Sequence, residues 1–320
     1  GVQTCALPIL GIVLLLFAFV PQFGAEGVWV SVFTAISAFC NAGFDLFGRF
    51  GAYSSLVPYV NNYYVQAVIM FMIMAGGLGF MVWVELAEYR KKRRLSLHAK
   101  VVLQFSVIFW VGGAVLLALL EWSNPRTMGG LSVPGKIMAA LFQSVSTRTA
   151  GMNTIDLAAC SPISKLLMSV LQFIGAAPGS TGGGVKVTTF AVLILTIRSV
   201  AQGRDDCVIG GHHIESKTVY RALTIIVIGA VAAFGSAVVV YYNTAETVSV
   251  IDCIFESCSA FGTVGLSVGV TGQLNTGAKL LYMACMFMGR VGPVSLAISL
   301  TAKPDDNKRK VLPVGHINVG

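Results

Sequence analysis

Three short segments of the chain each contain a polar residue, a small residue and a glycine, in that order. The glycines are Gly43, Gly151 and Gly265, which lie 108 and 114 residues apart. One such loop is usually a tight turn, but three in register favour a pore in which backbone carbonyl oxygens replace the water shell of an ion. The candidate carbonyl-bearing residues, named the filter loops below, are Asn41, Ala42, Gly43, Thr149, Ala150, Gly151, Thr263, Val264 and Gly265.

Each filter loop requires helices that hold it at membrane depth. Each loop follows a short apolar stretch, at residues 30–39, 136–146 and 250–261, with a long apolar stretch on either side. About a dozen residues are too few to span a bilayer, so these stretches predict re-entrant helices. Their C-terminal ends direct partial negative charge at a cation, and irregular backbone at this depth must line water or be buried in protein.

The composition predicts an all-α polytopic membrane protein. Of 320 residues, 55% are hydrophobic and only 11% are charged, and the mean hydropathy is +0.78. A soluble domain carries about 25% charged residues. Stretches long enough to span a bilayer as a helix lie at residues 63–86, 101–120, 166–197, 223–242 and 280–300.

The net charge of +8 does not indicate nucleic-acid binding, because the basic residues are clustered. Fourteen of the 22 lysines and arginines lie at residues 90–100, 198–221 and 303–310. Each cluster follows the second long apolar stretch of a repeat. By the positive-inside rule these segments face the cytoplasm, and the filter loops face outward.

The sequence contains no catalytic or metal-binding motif, and we do not expect the protein to be an enzyme. The seven cysteines are scattered without a CxxC pair, which favours small buried hydrophobic residues over disulfides or metal ligands. His212 and His213 are adjacent rather than four apart, which favours a solvated loop over a metal site. The first apolar run, residues 6–20, is short for a span and contains Pro8, so the chain is expected to begin inside or just before a helix.

The second long stretch of each repeat contains small residues, at 74–80, 175–186 and 288–293. In the first, close helix packing is the simple interpretation. In the second, a proline and five glycines must break the helix, which implies a cavity and a natural gate beneath the filter loops. A phosphate-binding loop does not fit, because Val185 and Val187 flank the lysine. The predicted gate residues are Gly175, Pro178, Gly179, Gly182, Gly183, Gly184 and Lys186.

Charges within membrane stretches are costly and need partners. Arg290 is expected to reach the carbonyls of the broken segment and latch it, with an acidic partner for assembly as the alternative. Arg148, beside a filter loop, would repel a cation and is expected to point away from the pore. Its candidate partners are Glu256 and Asp45.

Several segments together resemble the Trk/Ktr/HKT superfamily of potassium transporters, and within it the KtrB-type subunit. The resemblance rests on residues 35–48 (AISAFCNAGFDLFG), 142–154 (FQSVSTRTAGMNT), 178–190 (PGSTGGGVKVTTF), 259–271 (SAFGTVGLSVGVT) and 289–293 (GRVGP), with a weaker match at 203–206. It implies four helix–pore loop–helix units around one pore, in pseudo-fourfold arrangement. It also implies an intramembrane gate in the third unit, contacted by the arginine of the fourth.

The chain contains three such units, which match the second, third and fourth of the family. They are expected at residues 1–100, 101–220 and 221–320, in a chain truncated at its N-terminus. The resemblance further implies a homodimer and a cytoplasmic ring of nucleotide-binding RCK subunits. The basic segments 90–100 and 198–217 are expected to dock that ring, with anionic lipid as the alternative.

The expected function is passive potassium uptake across the plasma membrane, driven by an inside-negative potential. The chain itself would hold no cofactor: K⁺ would bind only at the filter carbonyls, Na⁺ would act as an activator, and the nucleotide would bind the partner. The alternatives are a secondary transporter of another solute and, because one unit is missing, a non-conducting membrane subunit. Broken helices suit the former.

Overall fold

The computed structural model describes residues 2–51, 54–203, 207–244 and 247–292. Within these ranges the regular secondary structure is helical apart from one short hairpin, and the predicted all-α membrane fold is confirmed. The helices are α1 (Val2–Phe23), α2 (Glu26–Phe39), α3 (Tyr63–Gly77), α4 (Phe80–Lys92), α5 (Leu97–Glu121), α6 (Val133–Ser146), α7 (Pro162–Phe173), α8 (Val187–Ala201), α9 (Ser216–Asn243), α10 (Val250–Gly262) and α11 (Thr276–Val291).

In the part of the chain that the structure describes, three helices are long and apolar enough to cross a membrane. These are α1, α5 and α9, and the pair α3 and α4 makes a fourth span if it is counted as one bent helix. Side chains such as Ile108 on α5 and Val231 on α9 are large, apolar and exposed. Such side chains suit contact with lipid, where a helix satisfies its own backbone groups.

The helices repeat in groups of long, short and returning helix. The long helix packs on the short one in each group: α1 on α2, α5 on α6 and α9 on α10. The groups join where α3 packs on α6 and α7 packs on α10. Since α5 and α9 begin at Leu97 and Ser216, the domain boundaries expected after residues 100 and 220 fall in their first turns.

A short helix lies at each of the three predicted places, with earlier starts in two of them. Helix α2 begins at Glu26 rather than at 30, and α6 begins at Val133 rather than at 136. The Ser132 hydroxyl caps α6 by accepting a hydrogen bond from Gly135 N (3.3 Å), which satisfies a backbone group that the first turn leaves unpaired. Helix α10 begins at residue 250, as predicted.

The returning stretch of the first group is broken, so the expected continuous span over residues 63–86 is wrong. Helices α3 and α4 meet at an angle of 99°. Gly79 has a φ of 85°, and a Cβ atom there would lie 2.6 Å from Pro178 O. Gly76 does serve close packing, because a Cβ atom there would overlap Phe39 O. The small residues therefore both pack the helix and end it.

A β-hairpin follows α8, where a loop was expected for His212 and His213. Strand β1 (Cys207–Ile209) pairs antiparallel with β2 (His212–Ile214). The two glycines between them have positive φ angles, as a two-residue hairpin turn requires. Both histidines are exposed on β2. Several predicted features lie outside the described residues, namely 204–206, the part of the last stretch from Pro293 onward, and the basic cluster 303–310.

Candidate ion-conducting site

The three filter loops converge on one another through their glycines. A Cβ atom at Gly43 would lie 2.6 Å from Ala150 O and 3.4 Å from Val264 O. A Cβ atom at Gly151 would overlap Val264 O, and one at Gly265 would lie 3.8 Å from the Cα of Gly151. The three filter glycines therefore lie at one place, close to the carbonyl oxygens of Ala150 and Val264.

The backbone of each filter loop has an unusual alternation. Asn41, Thr149 and Thr263 have φ angles of 50°, 76° and 53°, although residues with a Cβ rarely adopt this region. The glycine two positions later also has a positive φ in each loop, and the residue between them does not. Alternating signs of φ turn successive carbonyls toward the same side, whereas a regular strand alternates them. Strain repeated three times at one position indicates a functional constraint.

A serine locks each filter loop, a feature that the sequence reasoning missed. The hydroxyl of Ser37 donates to Phe44 O (2.6 Å) and that of Ser259 to Leu266 O (2.7 Å). Ser146 makes the same bond to Met152 O. The carbonyl of each serine also accepts the N–H of the residue before the filter glycine. The signal was present in the sequence, because a serine lies six residues before the filter glycine in the first and third loops and five residues before it in the second.

The predicted gate is a non-helical segment, residues 174–186, named here the broken loop. Backbone groups exposed by the breaks in neighbouring helices hold it. Ala177 N donates to Gly77 O (3.0 Å), Thr181 N to Gly76 O (3.3 Å) and Gly184 N to Gly289 O (3.1 Å). The broken loop is thereby joined to α3 on one side and to α11 on the other.

The broken loop contacts all three filter loops in sequence order. Asn41 Nδ2 donates to Thr181 Oγ1 (3.0 Å). A Cβ atom at Gly182 would overlap Thr149 Oγ1, and one at Gly183 would overlap Thr263 Oγ1. Each filter loop thus meets one residue of the run 181–183 through its strained polar residue. Only glycine allows this approach at the second and third contacts.

Two cations bind carbonyls in the middle of the broken loop. Lys186 Nζ donates to Gly182 O (2.6 Å), and Arg290 Nη1 donates to Thr181 O. The contact expected of Arg290 is therefore present. At the other side of the loop, Gly179 and Pro178 pack against Phe80 and the break before α4. A Cβ atom at Gly175 would overlap Gly183 O, which explains the glycine that opens the loop.

The expected acidic partners of Arg148 are wrong. The guanidinium is buried and donates to Gly175 O (2.9 Å). It also lies over the rings of Phe109 and Trp110, at 5.3 and 5.8 Å from their centroids. It follows the C-terminal end of α6, where the helix dipole favours a cation, and aromatic faces add to this. Glu256 and Asp45 are engaged elsewhere, as described below.

The described residues contain no group of three or more His, Cys, Asp or Glu side chains that could hold a metal ion. The cysteines described are free; Cys40, next to the first filter loop, is exposed, and the others are buried. Converging backbone oxygens suit a cation stripped of its water.

Comparison with known proteins identifies this architecture. The family model described as "TrkH: Cation transport protein" matches residues 2–310. The potassium/sodium uptake protein NtpJ of Enterococcus hirae is 36% identical over 298 residues, which are 92% of this chain and 65% of that protein. The Ktr system potassium uptake proteins B of Bacillus subtilis and Vibrio alginolyticus are 34% and 38% identical, over 66% and 64% of their lengths. The chain thus spans about 65% of these relatives.

A solved structure shows the same fold. The potassium transporter TrkH of Vibrio parahaemolyticus superposes with a TM-score of 0.74, at 19% identity, over 93% of this chain and 62% of that one. These relatives are transport proteins rather than enzymes. The chain therefore belongs to the TrkH family of cation transport proteins and is a KtrB-type member of the Trk/Ktr superfamily.

Proposed function

We propose that this chain forms the ion pathway of a potassium uptake system. The observation that carries the proposal is the set of contacts between the filter loops and the broken loop. Three strained loops converge with their carbonyls, and a glycine-rich segment closes against the polar residue of each. The named relatives, which include potassium uptake proteins, support K⁺ as the ion.

The broken loop acts as the gate in this proposal. It lies directly against the strained residues Asn41, Thr149 and Thr263, and Arg290 acts as its latch. Opening requires the run 181–183 to leave the filter loops, which separates glycine backbone from threonine side chains without moving a helix. Irregular backbone with many glycines suits such a movement. Transport is then passive and driven by the membrane potential.

The proposed environment and partners are those that the family resemblance implies. The chain lies in the plasma membrane with its basic segments, among them 90–100 and 198–217, on the cytoplasmic side. It works as a homodimer beneath which a ring of nucleotide-binding RCK subunits docks and controls the gate. Na⁺ acts as an activator, and the nucleotide stays with the partner. The relatives named for the Ktr system support a transporter that works with partner subunits.

A secondary transporter of an organic solute fits less well, because the filter loops approach to backbone contact. No solute-sized group can pass between Gly151 and Val264 when even a Cβ atom overlaps there. A transporter of that type binds its substrate in a cavity near the bilayer midplane. Ion passage along the carbonyls requires no such space.

Substitution of the filter glycines tests the proposal. Rubidium, potassium and sodium uptake would be measured in proteoliposomes for Gly43→Ser, Gly151→Ser and Gly265→Ser. Potassium preference over sodium should fall most for Gly151, where the new Cβ overlaps Val264 O, and least for Gly265, where the nearest atom is 3.8 Å away. Gly235→Ser is the matched control, since no atom lies within 4 Å of a Cβ atom there. Unchanged selectivity in all three filter variants would contradict the assignment of these loops as a selectivity filter.

A further inference from the structure

The segment that leaves the third filter loop is held by a buried carboxylate. Glu256, on α10, is 4% exposed. Its Oε1 accepts hydrogen bonds from Ser267 Oγ (2.5 Å), Val268 N (3.0 Å) and Val270 N (3.2 Å), and its Oε2 accepts one from Thr271 Oγ1 (2.7 Å). All four donors lie two to six residues beyond the filter glycine. One side chain thus fixes the whole outer segment of this loop.

The other two filter loops are held differently. Asp45 Oδ1 accepts a hydrogen bond only from Phe47 N (2.9 Å) within its own turn. Asn153 donates to Ile155 O (2.9 Å) and bonds through its backbone to Ser55 and Leu56 of the preceding repeat. Glu26, at the start of α2, binds Arg49 six residues beyond Gly43, but this ion pair is exposed, and α6 contains no acid.

The comparison extends to the equivalent position on each short helix. Three residues before the locking serine lies Thr34 on α2, Gln143 on α6 and Glu256 on α10. All three are buried and polar. Among the residues described, Thr34 Oγ1 and both amide atoms of Gln143 lack a hydrogen-bond partner. Only the third repeat places a charge at this position and surrounds it with donors.

The carboxylate also borders the ion path. A cavity of about 370 Å³ runs beside the first and third filter loops, and Glu256 is the one charged residue among those that line it. Ala42, Thr263 and Gly265 line the same cavity. A negative charge beside the filter favours a cation there, and the low dielectric of a protein strengthens that effect.

We propose that Glu256 is a positioning residue that sets the outer carbonyls of the third filter loop and supplies the negative charge that raises the affinity of the filter for K⁺. This inference rests on the proposed function of the filter loops. By this inference the three loops contribute unequally to ion binding, and the third loop has the most negative electrostatic potential.

Three variants separate charge from position. Glu256→Gln removes the charge and keeps an acceptor, whereas Ser267→Ala and Thr271→Val each remove a donor and keep the charge. The matched control is Glu121→Gln, because Glu121 is also buried and accepts from Ser161 N, Ser164 Oγ, Asn124 Nδ2 and Thr127 Oγ1, at a distance along α5 from the filter loops. Each variant would be measured for rubidium uptake against K⁺ concentration and for thermal stabilisation by K⁺.

For Glu256→Gln we expect the apparent K⁺ affinity to fall about tenfold while the maximal rate changes less, because one charge near a cation site contributes on that order. The two donor variants should lower the preference of K⁺ over Na⁺ and keep the affinity. Glu121→Gln should lower thermal stability alone. Equal K⁺ affinity in Glu256→Gln and the unaltered protein, by uptake and by thermal shift, would overturn the inference. An unaltered protein that takes up no K⁺ would instead count against the proposed function.

Discussion

Two arginines bind carbonyls of the same broken loop, and their surroundings are opposite. Arg148 donates to Gly175 O at the start of the loop, is 4% exposed and lies over two aromatic rings. Arg290 donates to Thr181 O in the middle of the loop and is exposed. The loop is thus fixed at its beginning and held reversibly where it meets the filter loops.

The physical reason is desolvation. A buried guanidinium that lost its carbonyl and its aromatic neighbours would have no water to replace them, and such a loss is costly. An exposed guanidinium exchanges a carbonyl for water at small cost, as surface polar pairs do. Burial therefore makes the contact at Gly175 an anchor and the contact at Thr181 a latch. The four predictions below follow from this contrast.

Removal of the anchor should have the largest effect on stability. Arg148→Ala leaves a cavity and an unpaired Gly175 carbonyl, so we expect a loss of about 3 kcal/mol in the free energy of unfolding in detergent. Arg126→Ala, at an exposed position, should change stability little. Arg148→Met, which fills the space without the charge, should recover part of the loss. Equal stability of Arg148→Ala and Arg126→Ala would show that the contact at Gly175 is no anchor.

Adding a side chain at the beginning of the broken loop should have the next largest effect on stability. In Gly175→Ala the new methyl group overlaps Gly183 O, and we expect a loss of about 2 kcal/mol in the free energy of unfolding. Gly130→Ala is the control, because no atom lies within 4 Å of a Cβ atom there. The same measurement in detergent applies. A tolerated alanine at position 175 would mean that the beginning of the loop is mobile.

Removing hydrogen bonds from the middle of the broken loop should lower the stability by a smaller amount. Thr181→Val removes the hydrogen bond from Asn41 and the one to Phe39 O, for which we expect about 1 kcal/mol. Rubidium uptake should rise, because the loop loses part of its hold on the first filter loop. Thr224→Val serves as control, since Thr224 bonds only within its own helix, to Tyr220 O. Lower uptake in Thr181→Val would mean that this contact supports the open state.

Local pattern predicted much of this arrangement. Gly43, Gly151 and Gly265 were found by their repeated neighbours, and the short helices by their length, because both depend on residues close in the chain. Pro178 with five glycines predicted the break between α7 and α8 for the same reason. The break at Gly79 was interpreted as packing, since a glycine-rich stretch serves both purposes and only the contact with Pro178 O distinguishes them.

Apart from the contact of Arg290 with the broken loop, the contacts between distant residues could not be predicted. The match of Asn41, Thr149 and Thr263 to the run 181–183 depends on how three repeats assemble, and no local pattern encodes it. Arg148 was assigned acidic partners because a buried charge was expected to need a counter-charge. The structure surrounds it with a carbonyl, two rings and the end of α6, and among the described residues its Nε and Nη1 have no hydrogen-bond partner. The acids are used elsewhere.

Removal of the latch, Arg290, should have the smallest effect on stability and the most informative effect on transport. In Arg290→Ala the free energy of unfolding should change by less than about 1 kcal/mol, because the side chain is exposed. Rubidium uptake into proteoliposomes should rise about fivefold with unchanged preference for K⁺ over Na⁺, since losing a hydrogen bond of about 1 kcal/mol shifts the gate by that factor. Arg90→Ala, also exposed, should leave uptake as it was. Uptake that stays equal or falls in a normally folded Arg290→Ala protein would contradict the claim that the broken loop closes the pore.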